Sequence, residues 1–368
     1  MIFSVKDSLR QAVEAASGGL CTVMYTKKGQ PLFMRRIPRF NLEQLGPQFG
    51  SGPHPAFVVN GETKSEIWVS MYRAVLSNGE LVSVPGQNAS LLTYDQAVAY
   101  AAANGPGFHL MTRAEFMAVV LPEWLKAGKT DPPIRGNTQW GRSHEAPYEW
   151  GVRVDGQAPG TTTGDNATLA GSGPLAWRHD GTPFGVADIF GSRFLWFGGL
   201  RVNYGRIEII PDASLDLSLA SPNWMAIRAS DGAPVTPQSG QTGVLYYKKD
   251  PTKSFTDDGV SQNVGPAILG TSPDTFPSGW DENTTTQDYV TNSSMSLAYE
   301  SGLTPPTIAY ALGLVPIPGV TKGAFLDYVQ LAGKNPAQNR ARPDWSSNVV
   351  FGLGFSHSPS NAFVVWAL

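Results

Sequence analysis

The chain contains 368 residues, with 27 Lys and Arg against 30 Asp and Glu, which gives a formal net charge of −3. Only 15% of the residues are charged, whereas Gly (40), Pro (29) and aromatic residues (11%) are abundant, which is typical of an ordered, loop-rich globular protein. The sequence has neither a dense run of Lys and Arg nor an apolar stretch of about 18 residues, which argues against a nucleic-acid binder and a membrane-spanning segment.

The N-terminal region predicts a short helix followed by a hairpin. Residues 2–17 carry apolar side chains at helical spacing, and Gly18-Gly19 is expected to end the helix. The apolar positions are Val5, Leu9, Val13 and Ala16. Either a neighbouring chain or the body of the same chain would cover this face. These residues are also charged and lack an apolar core, so we expect no signal peptide. Residues 21–26 and 30–34 flank a Lys-Lys-Gly turn and suit a β-hairpin.

Residues 40–55 have the Gly- and Pro-rich composition of a linker. After them, 56–59 and 66–72 are strand-like and lie on either side of Asn60-Gly61. An Asn-Gly pair is one of the strongest short signals for a hairpin turn, so we expect a hairpin here.

Two helices are predicted in the next part of the chain. Residues 93–104 form the first, with Thr93 as its N-cap. Residues 112–120 form the second, in which Thr112 and Glu115 have the spacing of a capping box.

The remaining sequence is dominated by turns and short apolar runs. Residues 128–182 are turn-rich, 185–210 alternate in short apolar runs, and 229–300 are polar with few strong patterns. Residues 321–333 predict a helix, and 348–368 predict strands that end in an apolar run. The fold class indicated by these elements is α+β with a loop-rich body.

Three segments resemble the formylglycine-generating-enzyme-like (sulfatase-modifying-factor) branch of the C-type lectin fold. They are TYDQAVAYAAANGPGFHLMTRAEFMAVV at 93–120, HDGTPFGVADIFGSRFLWFGGLRV at 179–202, and the C-terminal VVFGLGFSHSPSNAFVVWAL. The positions that fit are Tyr94, Asp95, Ala97, Tyr100, Leu110, Thr112, Ala114, Glu115, Phe116, Gly185, Asp188, Gly191 and Trp196. The positions that depart are His109, Met111, Ser192-Arg193, and Phe363-Val364-Val365 in place of the family's Gly-Phe-Arg.

Residues 54–72 together with GSGPLAWRHDGTPFGVADIFG at 171–191 also look like the version of this domain found in phage tail and prophage proteins. Some of those are variable proteins of diversity-generating retroelements, which use their C-terminal strands as a ligand-binding face. The resemblance implies a loop-rich, C-type lectin-like domain at 51–368 with a long polar insertion at about 229–300. A small helix and hairpin at 1–50 would precede it as an anchoring segment.

The family's name member is an oxidase that depends on two cysteines near its C-terminus. Cys21 is the single cysteine here and lies outside the resembling segments, so this activity is not expected. The histidines lack metal-binding spacing, and we predict no catalytic residue and no metal site. A glycan hydrolase is an alternative that would need two carboxylates facing each other across a cleft. Asp95, Glu115, Asp188 and Trp196 are expected to be structural.

Calcium is the one ion that the sequence suggests. Asp257-Asp258-Gly259 and Asp281-Glu282-Asn283 offer oxygen ligands of the kind that calcium prefers. Neither has the spacing of an EF-hand loop, and a solvated turn is the other interpretation. No further cofactor is expected.

The C-terminal stretch 337–363 combines residue types that suit a binding face. Trp and Arg dominate binding hot spots, while Ser and Asn adapt their hydrogen bonds to a partner. The predicted receptor-binding residues are Asn339, Arg340, Arg342, Trp345, Asn348, His357, Ser358 and Asn361. Trp345 and Phe355 have core positions as their alternative interpretation.

With the resemblance, these patterns predict a non-enzymatic protein at the distal end of a phage tail in the virion. Its C-terminal face would bind a host cell-surface receptor, either a protein or a glycan. Residues 1–50 would contact other tail proteins or sister subunits, with a homotrimer as the expected oligomer. The alternative is a structural tail-tip or baseplate component that makes no direct receptor contact. Neither nucleic-acid binding nor membrane insertion is expected.

Overall fold

The computed structural model describes most of the chain up to residue 250 and shorter stretches after it. The described residues are 7–126, 134–144, 146–191, 194–203, 205–250, 252, 267–273, 290–293, 297–317, 328–331, 348–349, 361–362 and 365–367. Their helices are α1 (Ser8–Ser17), α2 (Tyr94–Ala103), α3 (Arg113–Lys126) and α4 (Thr307–Ala311). Short 3₁₀ turns occur at Leu42–Gln44, Pro47–Phe49, Pro55–Phe57 and Leu175–Trp177.

The strands are short and mostly antiparallel. In chain order they are β1 (Cys21–Tyr25), β2 (Pro31–Pro38), β3 (Val58–Val59), β4 (Glu62–Thr63), β5 (Glu66–Ser70), β6 (Val75–Ser77), β7 (Glu80–Val82), β8 (Phe108–Leu110), β9 (Phe194–Leu195), β10 (Leu200–Asn203), β11 (Arg206–Ile209), β12 (Met225–Ile227), β13 (Pro234–Val235), β14 (Tyr246–Lys249), β15 (Ala267–Gly270), β16 (Val290–Ser293), β17 (Ala298–Tyr299), β18 (Tyr328–Leu331), β19 (Asn348–Val349), β20 (Asn361–Ala362) and β21 (Val365–Ala367). Helices and sheets together confirm the predicted α+β class. In the part of the chain described, none of the helices has the length and apolar character needed to cross a membrane.

The first sheet joins the two ends of the chain. Its strand order is β1-β2-β5-β21-β8. β1 and β2 form the predicted antiparallel hairpin, with Cys21 opposite Arg35. The C-terminal strand β21 lies between β5 and β8, where Trp366 is opposite both Val69 and His109. This sheet therefore crosses the domain boundary predicted near residue 50.

Helix α1 lies against β1 through polar contacts. It begins after Asp7, whose side chain accepts the Arg10 amide, and ends at Gly18 with φ +62°, as predicted. The Arg10 Nε donates to the Val23 carbonyl at 2.8 Å. The predicted apolar face is largely left outside these contacts, because Leu9 is 42% exposed and Ala16 is exposed.

The second sheet lies in the later half of the chain. Its order is β13-β12-β11-β14-β15-β17, and β10 pairs with both β11 and β19. The predicted polar insertion therefore contributes four strands of this sheet, β13, β14, β15 and β17, among its described residues. Leu245, Tyr247 and Leu269 are fully buried and form a core cluster with Ala309 of α4. These strands are only two to four residues long, which is too short for a clear alternating pattern in the sequence.

Helix α3 runs through the main core. It is buried on nearly every side, and Phe116 packs against Phe197 with ring centroids 4.7 Å apart. A neighbouring core cluster contains Tyr94 and Ala97 of α2 together with Trp196. The Trp196 Nε1 donates to the Leu92 carbonyl, which confirms the structural role expected for Trp196.

The predicted caps and turns are present. Thr93 caps α2 in a full capping box, and the Thr112 Oγ1 accepts the Glu115 amide at the start of α3. Asn60 and Gly61 both have positive φ, as a tight hairpin turn between β3 and β4 requires. The strand predicted at 66–72 forms as β5, but it pairs with β2 and β21 rather than across this turn.

The linker predicted at 40–55 is wrong. Leu42 and Phe49 are buried in the main core, and His54 is fully buried. The His54 Nε2 lies 3.2 Å from the Ala311 carbonyl, and burial lowers the pKa of His54 to about 4. Gly and Pro here shape short 3₁₀ turns that carry core side chains.

The helix predicted at 321–333 is also corrected in part. Residues Tyr328–Leu331 form strand β18, which pairs with β16 in antiparallel register. The pairing of Tyr328 with Ser293 and of Leu331 with Val290 replaces the helical hydrogen bonds that the local pattern suggested. Residues 321–327 lie outside the described part of the chain.

Candidate functional site

The predicted receptor-binding residues are placed only in part. Asn339, Arg340, Arg342, Trp345, His357 and Ser358 lie outside the described residues. Asn348 belongs to β19 and is opposite Asn203 of β10, while Asn361 belongs to β20 and is opposite Phe194 of β9. Both strands therefore flank the stretch 194–203, and the predicted C-terminal face stays a prediction.

A different surface is described in detail at residues 148–153. Exposed and buried side chains alternate there, although the segment is not a strand: Tyr148 lies in a turn, and Trp150 and Arg153 form single bridges. Tyr148 is 79% exposed, Trp150 is 56% exposed and Val152 is 48% exposed. We call these three residues the exposed row. Large apolar side chains in series on a surface mark an interaction site more often than single ones do.

The residues between the exposed side chains hold the backbone in place. Glu149 is buried, and its carboxylate receives both the Nε of Arg135, at 2.8 Å, and an Nη of the same guanidinium. The backbone is fixed as well, because the Ser143 amide donates to the Glu149 carbonyl and the Gly151 amide to the Gly141 carbonyl. The exposed row is therefore carried by a hydrogen-bonded segment.

Gly151 allows this segment to lie directly on the interior. A Cβ at this position would come within 3.0 Å of the Trp177 ring, within 3.0 Å of the Ser172 Oγ and within 3.1 Å of Thr168. Trp177 is almost fully buried. A side chain at this position would therefore require these neighbours to shift.

Arg153 anchors the loop that follows the exposed row. Its guanidinium is buried and donates to the backbone carbonyls of Thr161 and Thr163 at 2.6 Å and of Asp165 at 3.0 Å. It also contacts the Asp155 carboxylate at 2.7 Å. One buried cation thus organises residues 155–165, and because its hydrogen bonds are met, burial does not leave it unpaired.

Arg142 lies beside the exposed row. It forms an antiparallel bridge with Trp150, which places both side chains on the same face. Its guanidinium rests against Gly160, where a Cβ would lie 2.9 Å from the Cζ. Arg142 is only half-buried.

A second polar centre lies at the start of α3. The His109 Nε2 is 2.8 Å from the Glu115 Oε1, and its Nδ1 is 3.1 Å from the Gly107 carbonyl. The other Glu115 oxygen accepts both the amide and the hydroxyl of Thr112. Both ring nitrogens face acceptors, so His109 is held as the charged imidazolium. Burial works to lower the pKa of His109, but the Glu115 carboxylate and the hydrogen bonds outweigh it and raise that pKa.

A small cleft lies next to this centre. It is lined mainly by apolar side chains such as Ile210, Ile308 and Leu312, and its volume is about 70 Å³. Pockets for small molecules typically have volumes of about 300–1,000 Å³. The cleft is thus too small for such a ligand, and the Glu115 carboxylate beside it is fully used in fixing α3.

Metal ligands do not come together in the described residues. No group of three or more His, Cys, Asp and Glu there could hold an ion. The two calcium-type loops, Asp257–Gly259 and Asp281–Asn283, lie outside the described part. His179 accepts the Val186 amide, and burial lowers its pKa to about 4, which makes it a neutral structural residue.

The exposed row is not among the features predicted from the sequence. Only turns are predicted for residues 128–182, although Tyr-Glu-Trp-Gly-Val-Arg at 148–153 alternates large apolar residues with others. That period of two is the signal that could have found it. The exposed row presents two rings and one aliphatic side chain to solvent, so it can bind a partner through packing contacts.

Comparison with known proteins adds no family. No family model matches the chain, and no curated protein matches its sequence. The resemblance to the formylglycine-generating-enzyme-like domains therefore depends on the segments quoted above.

Proposed function

We propose that this chain is a non-enzymatic binding protein of a phage tail that attaches to a host cell-surface receptor. The observation that carries the proposal is the exposed row, with Tyr148, Trp150 and Val152 in series on a fixed backbone. The phage context comes from the resemblance of 54–72 and 171–191 to phage tail and prophage domains.

Exposed aromatic rings on a fixed backbone are well suited to binding a partner. Tyr and Trp are enriched at protein interfaces because they bury a large area at a small cost in conformational entropy. Here the buried Glu149, paired with Arg135, and the buried Arg153 fix the segment from below. A preorganised surface loses little entropy when a partner binds, which favours affinity.

The fold proposed for this function is the C-type lectin-like fold of the formylglycine-generating-enzyme type. Two features support it. The α2–β8–α3 unit forms at the first resembling segment, and the C-terminal β21 closes the first sheet between β5 and β8. Within this proposal the C-terminal residues 339–361 form a further part of the receptor-binding face.

Competition with phage adsorption tests the function. Purified protein is labelled with a fluorophore and incubated with bacteria that the parent phage adsorbs to. We expect it to bind these cells and to block adsorption. We expect the double variant Tyr148→Ala/Trp150→Ala to lose at least about 10-fold in apparent affinity, as truncation of hot-spot rings does.

The control variant is Leu91→Ala. Leu91 is an exposed apolar residue outside the row, so its truncation should leave cell binding unchanged. Failure of the wild-type protein to bind the cells would contradict the proposed function. Equal binding by wild type and the double variant would place the receptor surface elsewhere.

A structural tail-tip component is the second candidate. It is favoured by α1, whose Leu9, Ala12 and Ala16 are exposed although the helix is docked on β1. An apolar face of this kind suits a sister subunit, in line with the predicted homotrimer. Leu9→Ser should then reduce the mass measured by light scattering while cell binding by the monomer persists; an unchanged mass would argue against this surface.

A further inference from the structure

Arg142 lies beside the exposed row and has no acidic partner among the described residues. Its side chain forms no ion pair with the residues that the structure describes, and its Nε is buried without a hydrogen bond to any of them. Arg135 and Arg153, by contrast, are paired with Glu149 and Asp155. Because the Nε is enclosed, an incoming acceptor would meet the two terminal guanidinium nitrogens, which are not among the buried unpaired atoms.

Arg142 lies next to the exposed row. It is directly opposite Trp150 on the same face. Tyr148 lies two residues before Trp150 along the chain, in the turn closed by the Glu149 amide on the Ala146 carbonyl. A planar guanidinium that can bind a carboxylate with two parallel hydrogen bonds therefore lies next to one exposed ring, and a second exposed ring follows two residues away in sequence. The surface offers one anion site and two flat apolar faces.

We propose that Arg142, Trp150 and Tyr148 bind an acidic sugar of a host cell-surface polysaccharide. The sugar's carboxylate would pair with the Arg142 guanidinium, and the C–H faces of this sugar and of the next one would stack on Trp150 and Tyr148. This inference rests on the proposed function and names the chemical class of the receptor at that surface.

Two other partner classes fit the surface less well. A peptide that adds a strand needs free backbone groups, but the Gly151 amide already donates to Gly141 and the Val152 carbonyl already accepts from Leu169. A nucleic acid needs a track of several cations, whereas the chain carries a net charge of −3 and the cation placed opposite Trp150 is the single residue Arg142.

The experiment compares one polysaccharide in two chemical states. Surface polysaccharide is purified from the host bacteria, and half of it is treated so that its carboxylates are reduced to alcohols. Binding of the full-length protein to each form is measured by biolayer interferometry. We expect the acidic form to bind about 10-fold more tightly, the ratio that a charge-assisted hydrogen bond supplies.

Single variants test which residues produce the preference for the acidic polysaccharide. Arg142→Gln should remove the preference for the acidic form, and Arg142→Lys should keep part of it, because the charge remains but the two-bond geometry does not. Trp150→Ala should weaken both forms alike. Arg228→Gln is the matched control, since Arg228 is exposed but paired with Asp231, and it should behave as wild type. Thermal unfolding verifies that each variant is folded.

The outcomes separate this inference from the function beneath it. Equal binding of the two polysaccharide forms, or a preference that survives Arg142→Gln, would overturn the acidic-sugar inference. If cell binding still depends on Trp150 in that case, the proposed function stands and the receptor is of another class. If the wild-type protein does not bind the cells, both fail.

Discussion

Two buried glutamates show how this chain fixes two different regions. Glu149 lies under the exposed row and is held by Arg135, whereas Glu115 lies at the start of α3 and is held by His109. The Glu115 carboxylate also accepts the Thr112 amide, whereas at Glu149 the backbone carbonyl accepts the Ser143 amide. The partners differ in one respect that matters, because an arginine keeps its charge at every physiological pH and a histidine does not.

The Arg135–Glu149 pair supports a surface, the exposed row. The His109–Glu115 pair supports what we call the framework, namely β8, β21 and the start of α3. The Arg135–Glu149 pair keeps the exposed row in one geometry over the whole physiological pH range. The His109–Glu115 pair instead connects β8, and through it the C-terminal β21, to the N-terminus of α3. The four predictions that follow test this contrast, from the largest expected effect on stability to the smallest.

Glu115→Ala should destabilise the protein most, by about 3–5 kcal/mol, because it leaves the buried His109 without its carboxylate and removes the acceptor for Thr112. Urea unfolding measures this. Glu115→Gln keeps an acceptor for Thr112 and should lose less. A loss below about 1 kcal/mol for Glu115→Ala would show that the pair contributes little.

Glu149→Ala should cost less, about 1–3 kcal/mol, since the Arg135 side chain is partly exposed and water can solvate it. Cell binding should fall more than stability does, because the backbone beneath Trp150 loses its anchor. The same urea series, with binding measured below the unfolding transition, gives both values. Wild-type binding by this variant would contradict the preorganisation argument.

The dependence of the unfolding free energy on pH should come from the buried histidines. The pKa of His109 is raised in the folded state, so its contribution is complete below the unfolded value of about 6.5 and is lost as pH rises through the folded pKa. His54 and His179, with pKa values of about 4, act with the opposite sign, and their contribution is lost as pH falls below about 6.5.

His109→Gln isolates the first of these effects. Unfolding free energies measured from pH 5 to 9 should show that wild type loses stability relative to this variant as pH rises above about 6.5. Glu149→Gln should leave the shape of the wild-type curve unchanged. Parallel curves for wild type and His109→Gln would mean that the imidazolium is not what holds α3.

Trp150→Ala should have the smallest effect on stability, within about 0.5 kcal/mol, because its side chain is more than half exposed. Its effect on cell binding should nevertheless be among the largest. Chemical denaturation against the Leu91→Ala control measures the first quantity. A stability loss of several kcal/mol would indicate that Trp150 is a core residue rather than a contact residue.

Local signals in the sequence predicted local structure well. The Thr93 and Thr112 caps, the Asn60-Gly61 turn and the β1–β2 hairpin each depend on residues close in sequence, and each forms. The capping geometry at Thr112 also identified Glu115 correctly as structural, although its pairing with His109 was not anticipated.

Elements that depend on distant residues were the ones that the sequence hid. Leu42 and Phe49 lie in Gly- and Pro-rich turns, and they are core because they join a cluster that also contains residues of α3, Ala311 and Ile317. Strand β18 exists through its pairing with β16, some forty residues earlier in the chain. The exposed row carried a period of two that was present but short, and its burial pattern depends on Trp177 beneath Gly151.

The most direct measurement of the central claim is hydroxyl-radical footprinting of the protein on host cells. Labelling is quantified by mass spectrometry for free and cell-bound protein. The account predicts protection of Tyr148 and Trp150 on binding, with Leu91 and Leu215 labelled equally in both states. Protection confined to residues 339–361 or to α1, with Tyr148 and Trp150 fully labelled, would contradict it.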